Sequence, residues 1–328
     1  MTFFLDPFAS AFMQRALLGG VLVAVVCGIV GTWVVLRGMA FLGEAMAHGM
    51  LPGVAVAALT GLPPMAGAAV SAAAMSLGVG VLQRRGRLSA DTSIGLLFVA
   101  SLSLGIIVIS ASRSFATDAS AILFGDILAI GSAELIALAV ALAVTVIVAA
   151  LGHRSFVALT VDPRQARLLG LHPRAAHIVL VGLVTLAVVS AYQAVGSLLV
   201  VGMLLGPAVA AGQWTWRIVP TMILAAAIGG LSVAGGLLLS WHLATAAGAT
   251  VAFAAICAGA VSTAVRALVR AQRRRAATAN PGGSRSMTPA SARLPFLAAD
   301  AAEAGAPSRS CGDPAPTSVT PNAPERTP

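Results

Sequence analysis

The chain has 328 residues, 58% of them hydrophobic and 9% charged, with a formal net charge of +9. Its basic residues are all arginine, and the absence of lysine excludes a standard phosphate-binding P-loop, which needs one. The arginines lie scattered between apolar segments and near the end, not on one soluble face, so nucleic acid is not the expected partner; Cys27, Cys257 and Cys311 are far apart with no CxxC pair, so neither a disulfide framework nor a cysteine metal cluster is indicated.

Charge-free runs cover 16–36, 178–216 and 218–265. About 20 apolar residues cross the hydrocarbon of a bilayer once, so each of the last two runs holds two crossings. The short alternating segments of a membrane barrel are missing. The expected fold class is all-α: a polytopic transmembrane helical bundle of eight to nine helices with a disordered C-terminal tail.

The N-terminal stretch MTFFLDPFAS carries an acid and no basic region, and does not read as a cleaved signal. Crossings are expected at 16–36, 39–60, 63–83, 93–112, 131–152, 176–194, 196–213, 218–240 and 247–265. An eight-helix count, with one apolar segment re-entrant, leaves the C-terminal end unchanged. With the amino terminus outside, the inner segments collect Arg37, Arg84, Arg85, Arg87, Arg154, Arg164, Arg167, Arg174, Arg217 and the run from Arg266 to Arg275. Only Arg15 and Arg113 then lie outside, so the positive-inside rule selects this orientation.

The second crossing, GMAFLGEAMAHGMLPGVAVAALTG, contains Glu44 and His48 one helical turn apart, facing the same way. Ionisable side chains at membrane depth are costly and mark pathways, and an acid–imidazole pair of this kind reads as a buried site on a cation path. Carboxylate oxygen with imidazole nitrogen suits Zn²⁺, Mn²⁺ or Fe²⁺, and two ligands suit transient capture. The alternative is that the two bond each other or nearby backbone and hold a helix break open. The same segment, GMLPGVAVAA at 49–58, matches GMLLGPAVAA at 202–211 at eight of ten positions, at an offset of 153 residues. Falling on the second and seventh crossings, the copies would run in opposite directions, the mark of an inverted repeat with broken helices near the midplane. Separate selection of small residues for packing would leave the same trace. Gly49, Gly53, Gly202 and Gly206 allow close helix approach, and Pro52 and Pro207 remove backbone donors inside helices, which would kink them.

Asp91, ahead of Thr92 and Ser93, reads as a structural helix cap. Asp118, Asp126 and Glu134 read as solvated residues of the outer side. The most polar long loop, 153–177, includes Asp162 and Pro163 as N-cap and first position of a short helix that Gly170 ends, a surface on which a soluble partner would dock. His153, His172 and His177 are expected to be polar surface or interface residues of this loop. His242, beside Trp241, reads as an interfacial anchor. Arg266, Arg270 and Arg273 to Arg275 would anchor the last helix at anionic headgroups, and residues from about 276 onward, rich in Pro, Ala, Ser and Thr, would be disordered. Domain boundaries are set at 1–270, a transmembrane domain, and 271–328, a disordered cytoplasmic tail.

Five segments in order resemble the permease subunits of the ABC-3 family, importers of zinc, manganese or iron. They are Gly19 to Gly38 leading into AFLGEAMAHGMLPG, DTSIGLLFVASLSLGIIV from Asp91, LFGDIL from Leu123, VDPRQARLLGL from Val161, and VGSLLVVGMLLGPAVAA from Val195, within about residues 5–268. The resemblance implies that Glu44 and His48 are the metal ligands, with a glutamate where the family usually has aspartate. It also implies that Asp162, Pro163, Ala166 and Gly170 belong to the loop that inserts into a soluble ATPase. A homodimer, an extracytoplasmic metal-binding protein and a site in the bacterial cytoplasmic membrane, with the C-terminus cytoplasmic, follow from it. The chain would itself be no enzyme and hold no permanent cofactor, with Zn²⁺ or Mn²⁺ as transported substrate. The competing readings are a proton-coupled secondary transporter and a non-transporting membrane anchor or sensor.

Overall fold

The computed structural model describes residues 10–85, 89–110, 127–161 and 173–279. Among these every regular element is helical: α1 (Ala11–Leu36), α2 (Ala40–Gly49), α3 (Leu51–Thr60), α4 (Pro64–Arg85), α5 (Ala90–Ser110), a 3₁₀ turn (Ile127–Ala129), α6 (Ser132–Val161), α7 (Pro173–Gly212), α8 (Ile218–Leu243) and α9 (Ala247–Ala279). Eight helices are long and apolar enough to cross a membrane, α2 and α3 together forming one, Ala40–Thr60, and Ala175–Tyr192 of α7 another. The seventh expected crossing, 196–213, corresponds to the shorter apolar helix Leu199–Gly212. In hydrocarbon only a helix satisfies its own backbone, which is why apolar runs of this length adopt no other form.

Residues up to Arg274 belong to one compact unit. Of the unit beginning at Arg275, the described residues 275–279 are the end of α9. The last helix therefore passes through the boundary set at 270/271 and continues beyond 276, where disorder was expected; the tail from 280 lies outside the described residues. Alanine-rich sequence with arginines, ALVRAQRRRAATA, has high helix propensity and sustains the helix past the apolar stretch.

Close backbone approach fixes the helix directions. A Cβ on Gly28 would sit 2.7 Å from the Ala226 nitrogen, and one on Gly20 would sit 2.5 Å from a Val233 methyl, so α1 and α8 run antiparallel. Helix α9 returns against α8, with Gly236 packed on Val251. The second half of α7 runs parallel to α9: Gly202 faces Ala252, Gly206 faces Ala255, and Ser262 Oγ donates to the Ala210 carbonyl at 3.0 Å. Gly38, at φ 64°, ends α1 in a left-handed turn in which the Met39 N–H reaches the Val34 carbonyl at 2.9 Å. Consecutive crossings joined by such a short turn reverse direction, so α2–α3 opposes α1 and also the second half of α7. The two copies of the repeated stretch thus have the opposed directions that an inverted repeat requires.

The main core runs along the α1, α7 and α8 contacts and includes Val23, Val26, Cys27, Val30, Leu199, Val200, Met203, Leu204, Val233 and Leu237. A second cluster at the Arg37 end of α1 gathers Trp33, Phe156, Leu159, Ala176, Leu180 and Met222. Gly53 and Gly67 pack α3 on α4 so tightly that a Cβ on either would overlap the other's carbonyl oxygen. We expect Gly53→Val to destabilise the protein by about 1–3 kcal/mol, the usual cost of overpacking. Gly235→Ala, where nothing lies within 4 Å of the added methyl, should be neutral or slightly stabilising. Thermal unfolding of the two variants in detergent compares them.

Candidate functional site

The second crossing is not one helix. It breaks at Met50, where α2 ends and α3 begins, and Pro52 is the second residue of α3. Proline has no N–H, so the His48 carbonyl loses the donor that residue i+4 would supply. The neighbouring Gly49 carbonyl is covered from outside the helix by Ser71 Oγ of α4, at 2.8 Å. Gly49 lies against the Met75 thioether, and this lack of a side chain is what lets α4 come close enough for Ser71 to reach. Pro52 therefore marks a break, as its sequence position predicts.

Glu44 and His48 lie on α2, on the Arg37 side of this break. Four residues apart, they are separated by roughly 6 Å along the helix axis and share a face, and each lies within electrostatic reach of the other. The expectation of a buried pair is corrected: Glu44 is exposed in the single chain, and His48 is half-buried. Between them Ala45, Met46 and Ala47 are fully buried and carry the packing. The His48 ring stands edge-on to Phe98 of α5, centroids 5.7 Å apart and planes at 67°, and Phe98 in turn stands edge-on to Phe41 at 6.0 Å. Among the described residues no group of three or more His, Cys, Asp and Glu comes together. Two ligands of these types are what this face offers, and Cys27 is buried within α1.

The second copy behaves differently. Pro207 sits inside a continuous stretch of helix; the break in α7 falls instead at Gly196, whose φ of 75° and ψ of 167° only glycine adopts readily. Gly202 and Gly206 pack on Ala252 and Ala255, while Gly49 and Gly53 pack on α4. Both small-residue faces are thus occupied within the chain.

Asp162, Pro163, Ala166, Gly170 and His172 lie outside the described residues, as do Asp118 and Asp126. The helices flanking that loop are described, and they contain what the sequence reading placed in the loop itself. His153 is on α6, its ring 5.8 Å from that of the fully buried Trp33, which also meets Phe156 at 5.4 Å. His177, half-buried on α7, is within electrostatic reach of Arg37. Arg37 was legible only as an inner-side charge. Its Nη1 donates to the Leu159 carbonyl at 3.0 Å, a residue 122 positions away, and its partial burial lowers its pKa from the ordinary arginine value without discharging it. Asp91 is not the cap of α5: Ser89 is, its Oγ accepting the Thr92 N–H at 3.1 Å, with Asp91 in the first turn. Glu134 is not simply solvated, because its Oε2 accepts the Gly131 N–H at 2.9 Å at the start of α6. His242 is exposed at the end of α8, beside a Trp241 ring that lies 6.3 Å from Phe12.

A family model described as the ABC 3 transport family matches residues 9–266. The chain belongs to this ABC 3 family. The manganese transport system membrane protein MntC of Listeria monocytogenes is 37% identical over 245 residues, 75% of this chain and 87% of that one. The chelated iron transport system membrane protein YfeD of Yersinia pestis is 33% identical over 245 residues, 74% and 82% of the two chains. Among solved structures, PsaBC from Streptococcus pneumoniae in complex with Fab aligns with a TM-score of 0.71 and 30% identity, covering 79% of this chain and 94% of that one. This ABC 3 chain is a multi-pass membrane permease of a transport system, which sets aside the non-transporting anchor.

The break at Met50 yields a direct expectation. Ser71→Ala leaves the Gly49 carbonyl without its outside donor and should cost about 1 kcal/mol, the net worth of one such bond. The thermal midpoint of the purified ABC 3 chain should fall by a few degrees, with Ser71→Thr, which keeps the hydroxyl, closer to the parent.

Proposed function

We propose that this chain is the membrane subunit of an importer that carries a divalent transition metal, manganese or zinc, into the bacterial cytoplasm. ATP hydrolysis belongs to a separate soluble subunit docked at Asp162, Pro163, Ala166 and Gly170, and an extracytoplasmic binding protein delivers the metal. The observation that carries the reading is the shared face of Glu44 and His48, held on α2 immediately before the helix break at Met50.

A carboxylate oxygen and an imidazole nitrogen form a donor set that manganese, iron and zinc all accept. The relatives named for manganese and chelated iron support the same class of substrate. Exposure of Glu44 supports a site completed from outside the chain, by water or by the same pair in a second copy. A homodimer would then present four protein ligands, and an incomplete two-ligand set in each chain favours release over storage. The metal is cargo, with no resident cofactor required. The arginine-bearing ends of α1, α6 and α9 face the cytoplasm in this reading, which puts the C-terminus there as well.

Glu44→Ala and His48→Ala should each lower uptake of radiolabelled manganese or zinc by at least about tenfold while the permease remains inserted and associated with its ATPase. Uptake equal to the parent in both variants would remove the site from α2. Substitution of Asp162 and Gly170 should weaken co-purification of the ATPase without touching metal selectivity; undiminished co-purification would remove the docking role.

A further inference from the structure

We infer that Arg37 is the positioning residue that couples the ATPase-facing loop to the metal-bearing segment α2. The inference rests on the proposed function for the roles of that loop and of Glu44 and His48; the connection between them is read from side-chain geometry.

Both flanks of the loop meet the end of α1. Helix α6 reaches Val161, so its last carbonyls have no partner within the helix, and the Arg37 guanidinium takes one of them, Leu159, at 3.0 Å. A cation at the negative end of a helix is favoured there by the helix dipole as well as by the hydrogen bond. On the other flank, His177, five residues into α7, is close enough for its charge and that of Arg37 to interact. One turn earlier on the same face of α1, Trp33 is fully buried between His153 and Phe156 of α6. Trp33 and Arg37 thus join α6 and α7 to a single point, the end of α1, three residues before the first residue of the loop on one side.

From that same point the chain leads into α2. Gly38, in a left-handed conformation, separates Arg37 from α2, and the break at Met50 closes the other end. The ten residues Ala40–Gly49, carrying Glu44 and His48, form a short rod between two interruptions of the helical backbone. A displacement of the α6 end is handed through the Leu159–Arg37 bond to the near end of that rod, seven residues from Glu44. Without the guanidinium the loop can still bind and stimulate the ATPase, but its motion no longer reaches the metal face.

The test uses the whole transporter, permease with ATPase and binding protein, reconstituted in proteoliposomes with Mn²⁺ and separately Zn²⁺. The reading is the number of metal ions moved per ATP hydrolysed for the parent, Arg37→Gln and Arg37→Lys. We expect this ratio to fall about tenfold in Arg37→Gln, inside the roughly 5- to 150-fold span of typical site-to-site coupling, with hydrolysis retained. Arg37→Lys, which keeps the charge but loses the planar fork, should fall between the two. If the glutamine variant does not assemble, the lysine variant decides by the same ratio. A ratio equal to the parent, whether the two rates are unchanged or drop together as a folding defect would make them, overturns the inference and leaves the proposed function intact. A parent complex that hydrolyses ATP without moving either metal overturns the proposed function, and the inference with it.

Discussion

A peptide group inside hydrocarbon has no water to bond, so every interruption of a helix there must be met by a donor or acceptor from elsewhere in the chain. Among the described residues, hydroxyls that find partners do so in two ways. Most bond back to their own helix, as Thr32 does to Gly28 at 2.7 Å, Thr185 to Val181 at 2.9 Å and Ser232 to Ile228 at 2.9 Å, which lets a polar side chain sit in an apolar bundle at little cost. Ser71 does otherwise: it reaches across from α4 to the Gly49 carbonyl beside the break at Met50. The site exists because that break exists, since it ends α2 just after His48.

Close packing of small residues supplies the rest of the framework. Gly53 on Gly67, Gly28 on Ala226 and Gly206 on Ala255 each bring two backbones together, and dispersion between closely approaching helices is the main attraction available where the solvent is as apolar as the side chains. These contacts tie α3 to α4, α1 to α8, and α7 to α9. Helix α2 is held instead by larger, softer contacts, Phe41 and His48 on Phe98 and a Leu204 methyl near Gly43.

At the arginine-bearing end the chain is fastened by polar contacts as well as packing. Arg266 lies 5.5 Å over the Trp214 ring, whose Nε1 donates to Ser262 Oγ at 2.8 Å, so the last two helices and the turn before α8 are joined at that level. Arg37 serves the same end of α1. Such interactions suit the interfacial zone, where an apolar body and a charged head are both accommodated.

The sequence by itself determined the class and nearly all of the elements. Uninterrupted apolar runs have one solution in a bilayer, so nine helical segments were legible with their order, and the i,i+4 spacing of Glu44 and His48 placed them on a common face. Pro52 stands just after the break between α2 and α3, where its missing N–H acts on the local backbone and needs no partner. Tertiary structure decided that Pro207 lies inside continuous helix, while the boundary drawn between 194 and 196 falls at the non-helical Gly196. It decided that Glu44 is exposed, that Ser89 and not Asp91 caps α5, and that Arg37 bonds a carbonyl 122 residues away. Burial, cap choice and long-range hydrogen bonds depend on which helix faces lie against each other. In a chain this uniformly apolar the sequence carries almost no facial asymmetry to tell one packing from another.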